Sequence, residues 1–404
     1  MLLRELTYKI KEADGEQPFD NNSEEEYLGG TSSEIELINQ NINSGSGEIP
    51  EWSIDDFWEY DLTMVVDVGI TNIELIVRRM ELKVTEITSD EYILSIFGYI
   101  ESFSVSDYNY FHLAPSKFVS GLAYIDKDTL SMKKFSLSLE GNGKDIKIGP
   151  LKFDIIFDIE FLMEFNPYLD FLNFPINVGN SWNLETVLDF SINGYVEANG
   201  ASNPIEFNFP DVSINEELSV VTEEEVTVPA GNFNSFKITG QNFKAWFSSD
   251  IGYVAKLTGS FPLGVANTNF QASLDGLIST NFNYPENNAP YVPLFNGPTQ
   301  VTAGVEHDFT ISTIEPNGDD IYYIVDWGDG TIDDWFGPYA DAEEVTITHT
   351  FEDQADFYCR AKAKDVNGYQ TCWADPFIVT APVNIPEGSQ SLPSNQQQSA
   401  QQQS

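Results

Sequence analysis

Tyr322-Tyr323-Ile324-Val325-Asp326-Trp327-Gly328-Asp329-Gly330-Thr331 is the stretch whose reading decides the fold of the C-terminal part of this chain. Its aromatic and β-branched residues suit a half-buried strand. Gly328 and Gly330 bracket Asp329 in a tight reversal, which needs positive φ and a side-chain oxygen to accept from the turn amides. Asp326 and Asp329 therefore read as groups that lock a turn.

Working outward, further motifs stand on either side: Asn288-Ala289-Pro290, Glu315-Pro316-Asn317-Gly318-Asp319-Asp320, Gly337-Pro338-Tyr339, His349-Thr350-Phe351, the run Phe357 to Asp365, and Trp373-Ala374-Asp375-Pro376. Together they resemble the Ig-like β-sandwiches called PKD domains, over Asn287 to Pro382, in the version common in archaeal surface proteins. The resemblance implies a spacer or a binding module for surface proteins or polysaccharide outside the cell, and seldom a catalyst. It also implies a Ca2+ site built from Asn288, Glu315, Asn317, Asp319 and Asp365. Here Glu315 and Asn317 stand where two aspartates are usual, which lowers the charge. Hard divalent cations take roughly six to eight oxygens, and the loop offers several beside a chain-bending Gly318. The competing reading is a solvated loop whose acids cap their own turn.

The two cysteines, Cys359 and Cys372, flank a reversal at Val366-Asn367-Gly368-Tyr369. Alternation of Phe357, Cys359, Ala361 and Ala363 points Cys359 inward. A disulfide, worth about 3 kcal/mol in the chain-entropy model, and a pair of buried thiols both fit this spacing.

From about Trp52 to Tyr284 the signal is also β. Period-two alternation is clearest in Leu151-Phe153-Ile155-Phe157-Ile159-Phe161-Met163-Phe165. Asn142-Gly143, Asn193-Gly194, Asn199-Gly200 and Ala230-Gly231-Asn232 read as turns between strands, and only Asn166 to Asn173 has helical spacing. The expected fold is thus all-β: a large antiparallel sandwich or half-open barrel over 51–286, then the Ig-like PKD sandwich over 287–382. An apolar residue four positions before a tryptophan recurs at Ile54 and Trp58 and at Val178 and Trp182, a faint echo of duplication. The stretch Glu225 to Phe233, with Trp246-Phe247-Ser248 and Ile251 to Lys256, resembles strands of envelope proteins related to the half-open β-barrels of lipoprotein carriers. That resemblance implies a concave apolar face able to hold acyl chains. Trp246, Phe247, Tyr253, Phe261 and Phe270 would either line such a face, stack sugars, or fill a core.

Composition bounds the rest. Sixty-four acidic residues against 19 basic give a formal charge of −45, which repels phosphate backbones, so nucleic acid is not an expected partner. Residues 1–50 form an acidic, polar lead-in, and 383–404 a Gln/Ser tail; both are expected to be disordered. No transmembrane segment is legible, and Met1 to Lys11 lacks the order of a secretory leader. Because the acidity and the resemblance point outward, a leader and an anchor are expected beyond these residues.

Nucleophile elbows, HExxH, phosphate-cradling loops and cysteine clusters are missing from the sequence. Of the three histidines, His112, His307 and His349, the last sits in a strand and reads as a structural hydrogen-bonding group. The expected role is a non-catalytic cell-surface spacer and binding protein, with self-association through a sheet edge near Leu151 to Phe165. Two alternatives stand beside it: a carrier of an apolar ligand such as a lipid, and the accessory part of a polysaccharide-degrading enzyme.

Overall fold

Period-two alternation becomes strand in the structure, a computed structural model that describes residues 48–67, 72–105, 118–148, 151–198, 201–262, 268–282 and 289–382. Asn288, His112, Asn199-Gly200, most of the acidic lead-in and the Gln/Ser tail lie outside the described residues. Every element among the described residues is a strand, and none is a helix long and apolar enough to cross a membrane.

The first thirteen strands form one antiparallel sheet. They are β1 (Phe57–Asp67), β2 (Asn72–Ile87), β3 (Glu91–Val105), β4 (Phe118–Asp126), β5 (Met132–Ile148) and β6 (Leu151–Leu169). A second run follows with β7 (Ser181–Ala198), β8 (Ala201–Asn208), β9 (Val212–Val228), β10 (Gly231–Thr239), β11 (Phe243–Ser248), β12 (Tyr253–Pro262) and β13 (Asn269–Thr280). The order is β6-β5-β4-β3-β2-β1-β13-β12-β11-β10-β9-β7, and β7 pairs back onto β6. The sandwich or half-open barrel expected from sequence is therefore a closed barrel, with β8 attached outside the ring. Closure uses the β6 edge expected to drive self-association: Ile155 to Asn166 faces Val187 to Ala198 of β7 and also pairs with β5. Over Ile155 to Asn166 both sides of β6 are therefore paired, whereas Leu151 to Phe153 pairs with β5 alone.

Two six-strand runs, β1–β6 and β7 with β9–β13, make up the ring. Each opens on a strand carrying a tryptophan of the sequence echo. Trp58 Nε1 donates to Ile251 O at 2.7 Å, and Trp182 Nε1 to Asp170 O at 3.0 Å. The interior is one apolar core in which strand alternation is visible: Leu62, Met64 and Val66 of β1 are buried while Thr63 and Val65 are only partly covered.

Three local expectations are corrected. Asn166 to Asn173 is not helical; β6 runs on to Leu169, and the connection after it carries Phe171, Leu172 and Ile176 into the barrel core. Asn142-Gly143 and Asn193-Gly194 are not turns but lie within β5 and β7. Gly194, at φ +143°, is where β6 passes so closely that a Cβ would stand 2.0 Å from Asp158 O. Its glycine answers a close approach, not a reversal. Ala230-Gly231 does turn the chain, between β9 and β10.

The C-terminal region packs two sheets around a second core. One holds β14 (Leu294–Asn296), β15 (Glu306–Ser312) and β18 (Val345–Thr350). The other holds β16 (Ile321–Asp326), β17 (Phe336–Tyr339), β19 (Asp356–Asp365) and β20 (Phe377–Thr380). Phe309, Tyr323, Trp327, Phe351, Phe357 and Cys359 fill the space between them. The deciding turn is built as read. Gly328 and Gly330 have φ of +74° and +94°, and Asp329 Oδ1 accepts from Thr331 N–H at 2.9 Å. His349 Nε2 meets Asp329 Oδ2 at 2.7 Å while its ring stacks on Trp327 at 4.2 Å, so this histidine serves structure. Both cysteines are buried free thiols; Cys359 donates to Trp327 O at 3.2 Å, and burial pushes Cys372 up to about 12.

Candidate functional site

The loop between β15 and β16 folds a carboxylate inward. Glu315 is 2% exposed, and its Oε2 accepts from the N–H groups of Asn317 at 2.8 Å and Asp319 at 2.7 Å. Gly318, at φ +77°, permits that curl and donates to Glu315 O. Across from it, β19 ends on Asp365, also buried, which accepts from Tyr369 N–H at 2.8 Å. One oxygen each from Glu315, Asp319 and Asp365 falls within 4.8 Å of the others. Burial pushes Asp365 above the usual carboxylate range, although the Tyr369 N–H and the Asn367 amide pull the other way.

The structure thus brings together three of the five residues expected to bind calcium. Asn317 contributes its backbone N–H to Glu315, and Asn288 lies outside the described residues. Two participants went unseen in the sequence. Asn367 Nδ2 donates to Asp319 Oδ2 at 2.9 Å and reaches Asp365 Oδ2 at 3.5 Å, and Asp341 Oδ1 accepts from Glu315 N–H at 2.7 Å. The only signal for Asn367 was its Asn-Gly reversal, which reads as a turn. A hard cation fits this group of donors: Glu315 Oε1 is a buried acceptor without a donor, and it sits where like charges crowd.

A second charged cluster joins the sandwich to the barrel wall. Lys362 of β19 places Nζ 2.9 Å from Glu59 Oε2 of β1 and 2.9 Å from Ser279 Oγ of β13, with both charged side chains 1% exposed. Arg79 approaches the other Glu59 oxygen at 3.2 Å. Burial alone would raise Glu59, but Lys362 and Arg79 outweigh it and hold the carboxyl at about 2. Beside this pair, Arg360 donates to Arg79 O at 3.2 Å and lies 3.4 Å from Asp326 Oδ2. Burial outweighs that guanidinium and pushes Asp326 up to about 6. Trp373 N–H donates to Glu81 Oε2 at 2.9 Å, and Tyr99 donates its hydroxyl to Tyr358 O at 2.5 Å.

Inside the barrel lies an apolar cavity of about 200 Å3, with Leu62, Met80, Leu94, Met163, Phe165 and Leu184 among its walls. The aromatic set singled out in the sequence divides. Phe247, Tyr253 and Phe270 are buried in the core, and Phe261 stacks on Phe270 at 4.8 Å. Trp246 is only partly buried at the margin of the core, donating to Glu224 Oε1 at 2.7 Å with Lys256 Nζ 4.3 Å from its ring centroid.

No family model matches the chain, and no curated protein matches it. Among solved structures, one described as the PKD domain of an M14-like peptidase from Thermoplasmatales archaeon SCGC AB-540-F20 is 42% identical. The match covers 24% of this chain and 98% of that one, with a TM-score of 0.23.

Proposed function

We propose that this chain is a non-catalytic binding and spacing protein of the cell exterior, in which a PKD-type sandwich stiffened by Ca2+ is clamped to a large β-barrel. The observation that carries this reading is the buried Glu59–Lys362 pair, which ties β1 to β19 with no water between the charges. A spacer transmits position only if its parts do not swing, and a desolvated, hydrogen-bonded ion pair resists separation because either charge exposed alone in that seam is unfavourable. Glu315, Asp319 and Asp365 would hold the cation, and Glu315 Oε1 supplies an oxygen otherwise without a partner. Surface proteins or polysaccharide are the partners this role serves. Two measurements on the whole chain test it: calorimetric titration with Ca2+, and retention on insoluble polysaccharides with and without a chelator. Saturable heat and chelator-sensitive retention are expected. Absence of both would remove the reading.

The barrel cavity favours a second reading, carriage of an apolar ligand. A space of about 200 Å3 walled by methionine, leucine and phenylalanine stays dry unless an apolar group enters it. Mass spectrometry of organic extracts of the purified protein would reveal a stoichiometric lipid if this reading holds.

A further inference from the structure

We infer that the barrel cavity takes a single-chain apolar molecule whose head carries no negative charge, admitted through a slot in the wall between β9 and β12. This rests on the carrier reading given above and supplies it with a ligand class and an entrance.

The slot follows from strand lengths. β10 ends at Thr239, opposite Ser219 of β9, and β11 starts at Phe243, opposite Gly259 of β12. A short turn at 240–242 joins them, so both stop where their outer neighbours run on. Beyond that turn, among the described residues, Val212 to Leu218 of β9 pairs with β7 alone, and Phe261 and Pro262 of β12 pair with β13 alone. No described strand bridges the two. Ile214, Glu216, Asn242, Ser260 and Phe261 stand on the margins of this gap and also line the cavity. Asn242 is exposed and the other four are partly so, which opens the apolar space to solvent at that place.

The lining indicates what fills it. Of the chain's five methionines, Met64, Met80, Met132 and Met163 all line this one cavity. A thioether side chain is unbranched and turns about three bonds, so it conforms to what it meets, whereas a core with a fixed fill favours Leu, Ile, Val and Phe. Four adaptable side chains around space they leave unfilled suit an occupant that comes and goes. The space, about 200 Å3, is little larger than the apolar cavity of about 150 Å3 known to accept benzene. It therefore suits one alkyl chain and not two.

The polar margin sets the head. Asn242 donates its backbone N–H to Glu216 Oε1 at 2.5 Å, and Ser260 N–H donates to Asn242 O at 2.9 Å, which holds the three residues side by side. An anionic head would meet the Glu216 carboxylate on a chain of net charge −45. A hydroxyl can instead pair with Glu216, the Asn242 amide or the Ser260 hydroxyl.

The test is NMR of the whole chain labelled at the methionine methyls, titrated at neutral pH with 1-octanol and with octanoate. 1-Octanol is expected to shift the four internal methionine signals saturably and to bind about tenfold more tightly than octanoate. Its hydroxymethyl protons should show NOEs to the Asn242 side chain. Glu216→Gln should bring octanoate to within about twofold of 1-octanol, because the opposing charge at the slot is gone. If neither probe shifts the methionines, this inference and the carrier reading both fall. If the two probes bind wild type alike, or the hydroxymethyl group lies away from Asn242, the cavity still carries apolar ligands but the head and the slot assigned to it are wrong.

Discussion

Strand β19 carries two kinds of buried charge only a few residues apart. Its Arg360 and Lys362 enter the seam with the barrel, where Glu59, Glu81 and Asp326 meet them. Its last residue, Asp365, enters a cluster of the same sign with Glu315 and Asp319. In the seam opposite charges offset one another's desolvation, and a shared hydroxyl, Ser279, fills the remaining hydrogen bond of Glu59. At the loop end the three carboxylates share one sign, and Glu315 Oε1 is left without a donor. The Glu59–Lys362 pair carries its own counter-charge, whereas the three carboxylates share one sign, and in the proposed function a cation would supply theirs. That contrast distinguishes the proposed clamp from the proposed site.

The comparison breaks most sharply at Lys362. Lys362→Met leaves Glu59 buried beside only Arg79, and removal of one partner from a buried pair costs about 3–5 kcal/mol. Urea denaturation should show a loss of that size. Lys362→Met combined with Glu59→Met should recover most of it, because the uncompensated charge is gone. A single variant as stable as wild type would mean that the seam is wetter than described and does not clamp the sandwich.

The like-charge cluster should respond to metal instead. Saturating Ca2+ at a hundred times its dissociation constant stabilises by about 2.7 kcal/mol, and Glu315→Gln should abolish the effect while raising stability in chelator, where carboxylate crowding no longer opposes folding. Thermal unfolding with calcium and with chelator measures both. Equal curves for wild type in the two conditions would place the cluster with capped turns.

Within the seam itself, titration tells two buried carboxylates apart by pH. Asp326 has a folded pKa near 6 against an ordinary 3.8, so its contribution is fully present below about pH 3.8 and is lost as pH rises through 6. Glu59 runs the opposite way: held near 2 against 4.5, it contributes above about pH 4.5 and loses that as pH falls toward 2. Stability should therefore peak between about pH 4 and 5, and the Asp326 contribution should fall by about 3 kcal/mol toward neutrality. Asp326→Asn should flatten the decline on the neutral side and leave the acid limb intact. A monotonic rise to pH 7 would contradict the burial of Asp326.

Much of this was legible beforehand where a signal is local. The turn chemistry of Asp326 to Thr331 is written in adjacent residues, and alternation in β6 gave its face pattern, with Phe157, Met163 and Phe165 all buried. Glu315, Asp319 and Asp365 were named because a motif placed them at one end of a sandwich. What stayed hidden depends on contacts far apart in the chain. Closure of the barrel needs β6 to find β7, and Gly194 read as a turn because a close strand approach leaves no mark on neighbouring residues. Glu59 and Lys362 are 303 positions apart and belong to strands whose polar residues read as solvent-facing. Nothing near either one announces that a second sheet covers it.

The smallest expected effect is the control that sharpens the whole comparison. Arg78 sits 2.7 Å from Asp61 and 2.8 Å from Glu101, distances at least as short as that of the Glu59–Lys362 pair. Yet the Arg78 and Glu101 side chains are 45% and 49% exposed, so water already solvates both charges and salt screens them. Glu101→Gln should change stability by no more than about 0.5 kcal/mol, and less in high salt. A loss comparable to that of Lys362→Met would show that separation alone sets the energy of these pairs, and the distinction drawn from burial would fail. A small, salt-sensitive change would leave desolvation as what distinguishes the seam from the surface, since geometry is matched and only access to water differs.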